Sequence, residues 1–199
     1  AFFDKVLQKS FKVKHGVRIG QGHTMEQAFL NRVLRYYPGY GYLLFPNPKH
    51  VDDLLDLLDL NVFKLVAAPS VRDHGNAISD AFDSLEKQDA AIYASGTGIA
   101  IYYSVDRLDI QYIIRELAQH LQHPHKLAML KLKHLVKYLK GTKDWCWSYP
   151  FQDPPRRFHG FSDSDWAGDK ETRRSVSGGI IFHGLHFIDG CASGPLPYT

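Results

Sequence analysis

Residues 158–184 read FHGFSDSDWAGDKETRRSVSGGIIFHG, and the period of their side chains decides how the last part of this chain folds. Apolar and polar residues alternate through FHGFSDSDW, again through SGGIIFHG, and once more through the following LHFIDG. That is the period-two signature of three short strands, predicted to be antiparallel, with a polar turn between the first two. Asp163 and Asp165 lie two apart on the first of these strands. Side chains alternate along a strand, so both carboxylates point to one face. Paired carboxylates on one face suit divalent-ion chemistry. Two-metal phosphodiester cleavage needs oxygen ligands converging on cations about 3.5–4 Å apart. One strand supplies one or two such ligands and not a whole site, and the default meaning of SDSD by itself is a polar turn.

Upstream, FQDPPRR reads as a Pro-rich linker and a boundary. Before it the chain is helical. KLAMLKLKHLVKYLKG is an amphipathic helix with Leu127, Leu130, Leu135 and Leu139 inward and Gly141 as its expected stop. DRLDIQYIIRELAQHL has helical periodicity, and AAIYASGTGIAIYYS is apolar throughout. A break at Pro69–Ser70 and a polar stretch to residue 90 read as a connector. PNPKHVDDLLDLLDL reads as a short helix with Val51, Leu54, Leu55 and Leu58 inward. YGYLLF reads as a strand. GHTMEQAFLNRVLRYY fits either a helix opened by a Thr24–Gln27 capping box or a strand. FKVKHGVRIG alternates, which predicts a half-buried strand with Phe11, Val13, Val17 and Ile19 on its inner face.

The chain has 199 residues, 44% of them hydrophobic, and a formal net charge of +3. This suits a folded protein of one or two domains and mildly favours a polyanionic partner. No apolar run is long enough to cross a membrane, and AFFDKVLQKS does not read as a signal peptide. Two cysteines, Cys146 and Cys191, argue for a reducing, intracellular setting, cytoplasm or nucleus.

Several motifs carry a plain reading beside a chemical one. HVDDLL looks like a paired-aspartate metal site, but Asp52, Asp56 and Asp59 share one side of a helical pattern, which reads as a solvated acidic face. His120, His123 and His125 in HLQHPH read as surface histidines rather than a zinc site. SGTG reads as small residues packed between helices. Trp145 and Trp147 suit base stacking less than they suit core or edge-strand packing. The helix from 126 carries Lys126, Lys131, Lys133, Lys137 and Lys140, with Lys143 beyond it, and no acidic residue before Asp144. This is either an electrostatic footprint for phosphates or an ordinary solvated helix face.

Taken together, YASGTGIAIYYSVDRLDIQYIIRELAQHLQHP, KLKHLVKYLKGTKD and HGFSDSDWAGDKETRRSVSGGIIFHG strongly resemble the Pol polyprotein of copia-type long-terminal-repeat retrotransposons. They look like the region that joins reverse transcriptase to ribonuclease H. Residues 1–67 match more loosely. The resemblance implies an α+β chain in three parts: a reverse transcriptase thumb-like remnant at 1–67, a helical connection region at 68–155, and the beginning of an incomplete ribonuclease H-like meander at 156–199. It implies parent activities of RNA-directed DNA synthesis and RNA–DNA hybrid hydrolysis, with Mg²⁺ as cofactor. Asp163 matches the first metal-binding carboxylate of the ribonuclease H fold. Asp165 matches a second family aspartate that is not assigned as a ligand. Arg173 and Arg174 match a polar turn that could touch a nucleic-acid backbone.

The departures from the family matter as much. Its polymerase aspartate pair falls upstream of FKVKHGVRIG, and its later ribonuclease H carboxylates have no counterpart here, so Asp163 is an orphan. The expectation is a truncated fragment with neither activity and no bound cofactor. The alternative is a non-catalytic module that binds RNA–DNA hybrid or other nucleic acid through the helix at 126–143, using Lys131, Lys133, Lys137 and Lys140 with Arg173 and Arg174. The remainder of a Pol polyprotein is the other partner the resemblance suggests.

Overall fold

The computed structural model describes residues 2–12, 16–60, 62–70, 81–164 and 175–193. Among these the chain runs α1 (Phe2–Ser10), β1 (Glu26–Phe29), β2 (Arg32–Tyr37), β3 (Gly41–Phe45), α2 (Lys49–Leu57), α3 (Lys87–Ser104), a 3₁₀ turn (Leu108–Ile110), α4 (Gln111–Gln119), α5 (Lys126–Gly141), β4 (Trp147–Pro150), β5 (Phe158–Ser164), β6 (Ser177–His183) and β7 (His186–Ser193). The class is α+β. Helices pack together in the middle of the chain, and two antiparallel sheets have the orders β1-β2-β3-β4 and β5-β6-β7.

The helices close because each presents an apolar stripe at helical spacing. On α5 the stripe is Ala128, Leu132, Leu135 and Leu139, at i, i+4, i+7 and i+11, all fully buried. Leu130, expected inward, is 48% exposed, because it lies well around the helix from that stripe. On α2 the inward set Val51, Leu54, Leu55 and Leu58 is buried as the spacing predicts. Tyr93, Ala100 and Tyr103 of α3 and Ile113, Ile114 and Leu117 of α4 complete one cluster. Burying each large side chain stabilises by about 1.5–3 kcal/mol. Elements from both sides of residue 67 share this core.

Gly96 sits where SGTG predicts close packing. A methyl group there would stand 3.1 Å from Leu132 Cδ2 and 3.6 Å from Leu57 Cδ2. α3 begins at Lys87, inside the stretch read as connector. α5 ends at Gly141, the expected stop. Thr142 closes it, its Oγ1 donating to the Tyr138 carbonyl at 3.0 Å.

The first sheet settles one open reading and corrects one expectation. GHTMEQAFLNRVLRYY forms the β1–β2 hairpin and not a helix, because Leu34 lies opposite Gln27 on one side and Leu44 on the other. The described residues of FKVKHGVRIG do not form the predicted strand. α1 runs to Ser10, Phe11 is 67% and Val17 60% exposed, and Ile19 makes one isolated bridge to Thr24. Val13 lies outside the described residues. Alternation alone does not make a strand when no neighbour pairs with it and Gly16, Gly20 and Gly22 interrupt the backbone. β4 then returns from far along the chain to pair with β3, Leu44 opposite Trp147 and Gly41 opposite Pro150. Gly41 has φ +143° and lies against the Tyr149 carbonyl, so a side chain at this position meets backbone.

The second sheet is the three-stranded meander read from the sequence. The linker before it is strapped down. Gln152 donates to the His183 carbonyl at 3.1 Å and accepts from Leu185 N at 2.8 Å. His186 Nε2 donates to the Pro150 carbonyl at 2.7 Å. Trp147 stacks on Phe187 with ring centroids 3.9 Å apart. Among the described residues no helix is long and apolar enough to cross a membrane.

Candidate functional site

Asp163 stands on β5 opposite Gly178 of β6. Its side chain is exposed, as is every residue of that strand. His159, Phe161 and Asp163 share one face. Asp165, Arg173 and Arg174 lie outside the described residues. Among the described residues no three His, Cys, Asp or Glu side chains converge to hold a metal ion, at Asp163 or elsewhere. Mg²⁺ demands near-octahedral oxygen coordination, and one exposed carboxylate does not supply it. The described residues therefore do not fit the group.

The basic helix divides into paired and unpaired lysines. Lys131 meets Glu116 of α4 at 2.5 Å and Lys126 meets Asp83 at 3.1 Å. Lys143, beyond the helix, holds both oxygens of Asp52 at 2.7 Å. This last contact gives Asp52 a structural partner. Asp56 and Asp59 are exposed, as a solvated acidic face requires. Among the described residues Lys133, Lys137 and Lys140 form no ion pair, and they lie at i, i+4 and i+7 on α5. Three uncompensated cations on one stripe present a local positive surface.

The histidines of HLQHPH do not converge on one point. His125 is the N-cap of α5: its Nδ1 accepts from the Ala128 amide at 3.2 Å. His120 packs its ring edge-on to His125, centroids 4.5 Å apart, and His123 is exposed. Trp147 is a packing residue, stacked on Phe187 and donating Nε1–H to the Asp106 carbonyl at 3.0 Å. Trp145 is 54% exposed and covers the Arg107 guanidinium, 5.4 Å from its ring centroid.

Arg107 is a residue to which the sequence reading assigns no role. It is 3% exposed. Its Nε and Nη2 donate to the two oxygens of Asp109 at 2.9 and 2.8 Å. Nη1 and Nη2 reach the Thr142 carbonyl at 3.0 Å and hydroxyl at 2.8 Å, just past the end of α5. Tyr138 donates to Asp109 Oδ2 at 2.8 Å. Burial pushes the Asp109 carboxyl up, but the bonds and charge of Arg107 and the Tyr138 hydroxyl outweigh it and hold the group below its ordinary value. Burial likewise pulls Arg107 down, and Asp109 more than restores it. Tyr138 is pushed up to about 12, first by burial and then by its bond to Asp109. The signal in the sequence is DRLDI: opposite charges two apart, between apolar helical segments. This cluster ties the turn before α4 to the end of α5.

No protein-family model matches the chain, and no solved structure matches it. Over 140 residues, 70% of the chain, it is 27% identical to the retrovirus-related Pol polyprotein from transposon RE1 of Arabidopsis thaliana, covering 9% of that protein. Over 150 residues, 75% of the chain, it is 27% identical to an uncharacterized mitochondrial protein of the same plant, covering 60% of it. Over 100 residues, half of the chain, it is 31% identical to the retrovirus-related Pol polyprotein from transposon RE2 of Arabidopsis thaliana, covering 7%. The chain thus spans less than two thirds of each of these relatives. On these matches the chain is a relative of the retrovirus-related Pol polyproteins of transposons, in keeping with the copia-type resemblance of its motifs.

Proposed function

We propose that this chain is a segment of a retrotransposon Pol polyprotein that holds nucleic acid without cutting or copying it. Residues 1–67 are assigned to the thumb-like part of a reverse transcriptase, 68–155 to its helical connection, and 156–199 to the beginning of a ribonuclease H-like domain. RNA-directed DNA synthesis and RNA–DNA hybrid hydrolysis are activities of the parent polyprotein. The partner is RNA–DNA hybrid or another nucleic acid, engaged through its phosphates.

The observation that carries this reading is the division of the lysines. Lys133, Lys137 and Lys140 are uncompensated on one face of a helix whose other lysines are neutralised. A phosphate backbone is the polyanion whose repeating charge suits such a stripe. The absence of cutting rests on Asp163, which has no converging ligands among the described residues.

The test is a gel shift with an end-labelled RNA–DNA hybrid and Mg²⁺ over a series of salt concentrations. Binding is expected to weaken steeply with salt and to show little sequence preference. Each lysine replaced by glutamine lowers the slope of log affinity against log salt by roughly 0.9. Affinity and slope unchanged in the triple variant Lys133→Gln, Lys137→Gln, Lys140→Gln would sink the reading. RNA cleavage lost on Asp163→Asn would overturn the non-catalytic part of it.

A further inference from the structure

After α2 the chain returns along α5 as a strap. Phe63 and Val66 of the strap pack against the helical core. Leu65 lies beside Gly141, where a methyl group on the glycine would stand 3.8 Å from Leu65 Cβ. His134 Nε2 lies 3.0 Å from the Ala68 carbonyl oxygen. A carbonyl only accepts, so Nε2 carries the hydrogen and donates it. These two contacts fix the direction of the strap. The helical rise from His134 to Gly141 is about 10.5 Å, and the extended reach from Leu65 to Ala68 is about 10 Å. From Leu65 to Ala68 the strap is therefore extended and antiparallel to α5.

This path carries Lys64 to the last turn of α5. Lys64 adjoins Leu65, which touches Gly141, and Gly141 adjoins Lys140, the last lysine of the basic stripe. Lys64 is exposed, between the inward Phe63 and the contact made by Leu65. His134 follows Lys133 directly and stands three residues before Lys137, which puts the latch of the strap next to the stripe. A cation from a distant segment thus joins a row of helical ones. We propose that Lys64 is a fourth phosphate-binding cation of this surface, and that His134 is the positioning residue that keeps it there. The proposal rests on the reading of Lys133, Lys137 and Lys140 as a nucleic-acid-binding stripe and extends that surface to a second segment of the chain. A repeating polyanion suits such a composite surface, because its phosphates meet helix and strap at once. The competing role for Lys64 is electrostatic support of the helix end, where a cation complements the carbonyl dipoles. That role acts on stability and not on binding.

The experiment is a gel shift of the full chain with an end-labelled RNA–DNA hybrid over a salt series, with urea unfolding of each variant beside it. Lys64→Gln is expected to lower the slope of log affinity against log salt by roughly 0.9, as one lost phosphate contact does. Lys64→Glu weakens binding further, and the urea midpoint of Lys64→Gln stays with the parent. His134→Ala lowers the slope toward that of Lys64→Gln, and Lys64→Gln then adds little in the His134→Ala background, because the strap no longer presents the lysine. His134→Gln keeps an N–H donor for the Ala68 carbonyl and restores the slope. A slope that falls in the triple variant of Lys133, Lys137 and Lys140 but not in Lys64→Gln overturns the proposal and leaves the stripe in place. A lowered urea midpoint with an unchanged slope does the same and assigns Lys64 to the helix end. A full Lys64→Gln effect in the His134→Ala background overturns the role of His134. No salt-sensitive shift, or a slope unmoved in the triple variant, overturns the proposal together with the reading beneath it.

Discussion

Arg107 and Asp109 meet through two parallel hydrogen bonds, Nε to Oδ1 at 2.9 Å and Nη2 to Oδ2 at 2.8 Å. The same guanidinium holds both oxygens of Thr142. One side chain therefore ties the 3₁₀ turn before α4 to the end of α5. The planar fork of arginine is what allows both contacts at once. Trp145, Tyr103 and Tyr138 surround it with ring faces, 5.4 to 5.9 Å from the guanidinium carbon.

Replacing Arg107 by lysine keeps the charge and loses the fork. The Thr142 carbonyl and one Asp109 oxygen lose their donors in a buried setting. We expect a loss of about 2–3 kcal/mol in unfolding free energy, read by urea denaturation. A loss below about 0.5 kcal/mol, the range of ordinary surface changes, contradicts the assigned role.

The same pair gives the stability a pH dependence with a definite sign. Asp109 titrates lower in the folded chain than in the unfolded one. Its contribution is thus fully present above the unfolded carboxylate value of about 3.9 and disappears as pH falls through the lower folded value. Thermal unfolding of the parent should fall on acidification below about pH 4, and Asp109→Asn should flatten that part of the profile. Equal slopes in the two chains would rule Asp109 out as the group responsible.

Elements whose stability is local were legible in the sequence. α2 announced its inward face by spacing, and β5, β6 and β7 by alternation between turn residues. What escaped depends on partners remote in the chain. Nothing near WSYP indicates that Leu44 lies opposite Trp147. Nothing near FKVKHGVRIG indicates that no strand comes to cover Val17. Leu130 is exposed although it is a leucine on an amphipathic helix, because Ala128 and Leu132 define the buried stripe and residue type alone does not. Of the candidate site, the basic stripe was legible, but its division was not. Lys131 is matched by Glu116 on a different helix, and a single-helix reading of charge does not include it. The cap at His125 was missed because its acceptor is a ring nitrogen and not the usual hydroxyl or carboxylate.

Two glycines on α3 should respond oppositely to added side chains. At Gly98 nothing lies within 4 Å of a new methyl group. Gly98→Ala should stabilise by about 0.5–1 kcal/mol through helix propensity. At Gly96 a methyl group meets Leu132 at 3.1 Å, and valine adds two more carbons against Leu57 and Leu54. Gly96→Val should cost about 1–3 kcal/mol. Denaturant midpoints of the two variants test the packing between α3, α2 and α5, and a gain at both positions would contradict it.

The stack of Trp147 on Phe187 joins the two sheets. The rings are 3.9 Å apart and 9° from parallel. Trp147 also donates to the Asp106 carbonyl. Trp147→Phe keeps a ring for stacking and leaves that carbonyl without its donor, an expected cost of about 1 kcal/mol. Trp147→Ala removes both contacts and should cost about 2–3 kcal/mol. It should also loosen the linker at 151–157, whose Gln152 bonds to His183 and Leu185 depend on the second sheet staying in place. Protease cleavage within 151–157, followed over time in the three chains, separates the two effects. Faster cleavage in Trp147→Ala with little change in Trp147→Phe assigns the coupling to the stack. Equal acceleration in both variants assigns it to the hydrogen bond, and no acceleration in either means that Gln152 and His186 hold the sheets together without it.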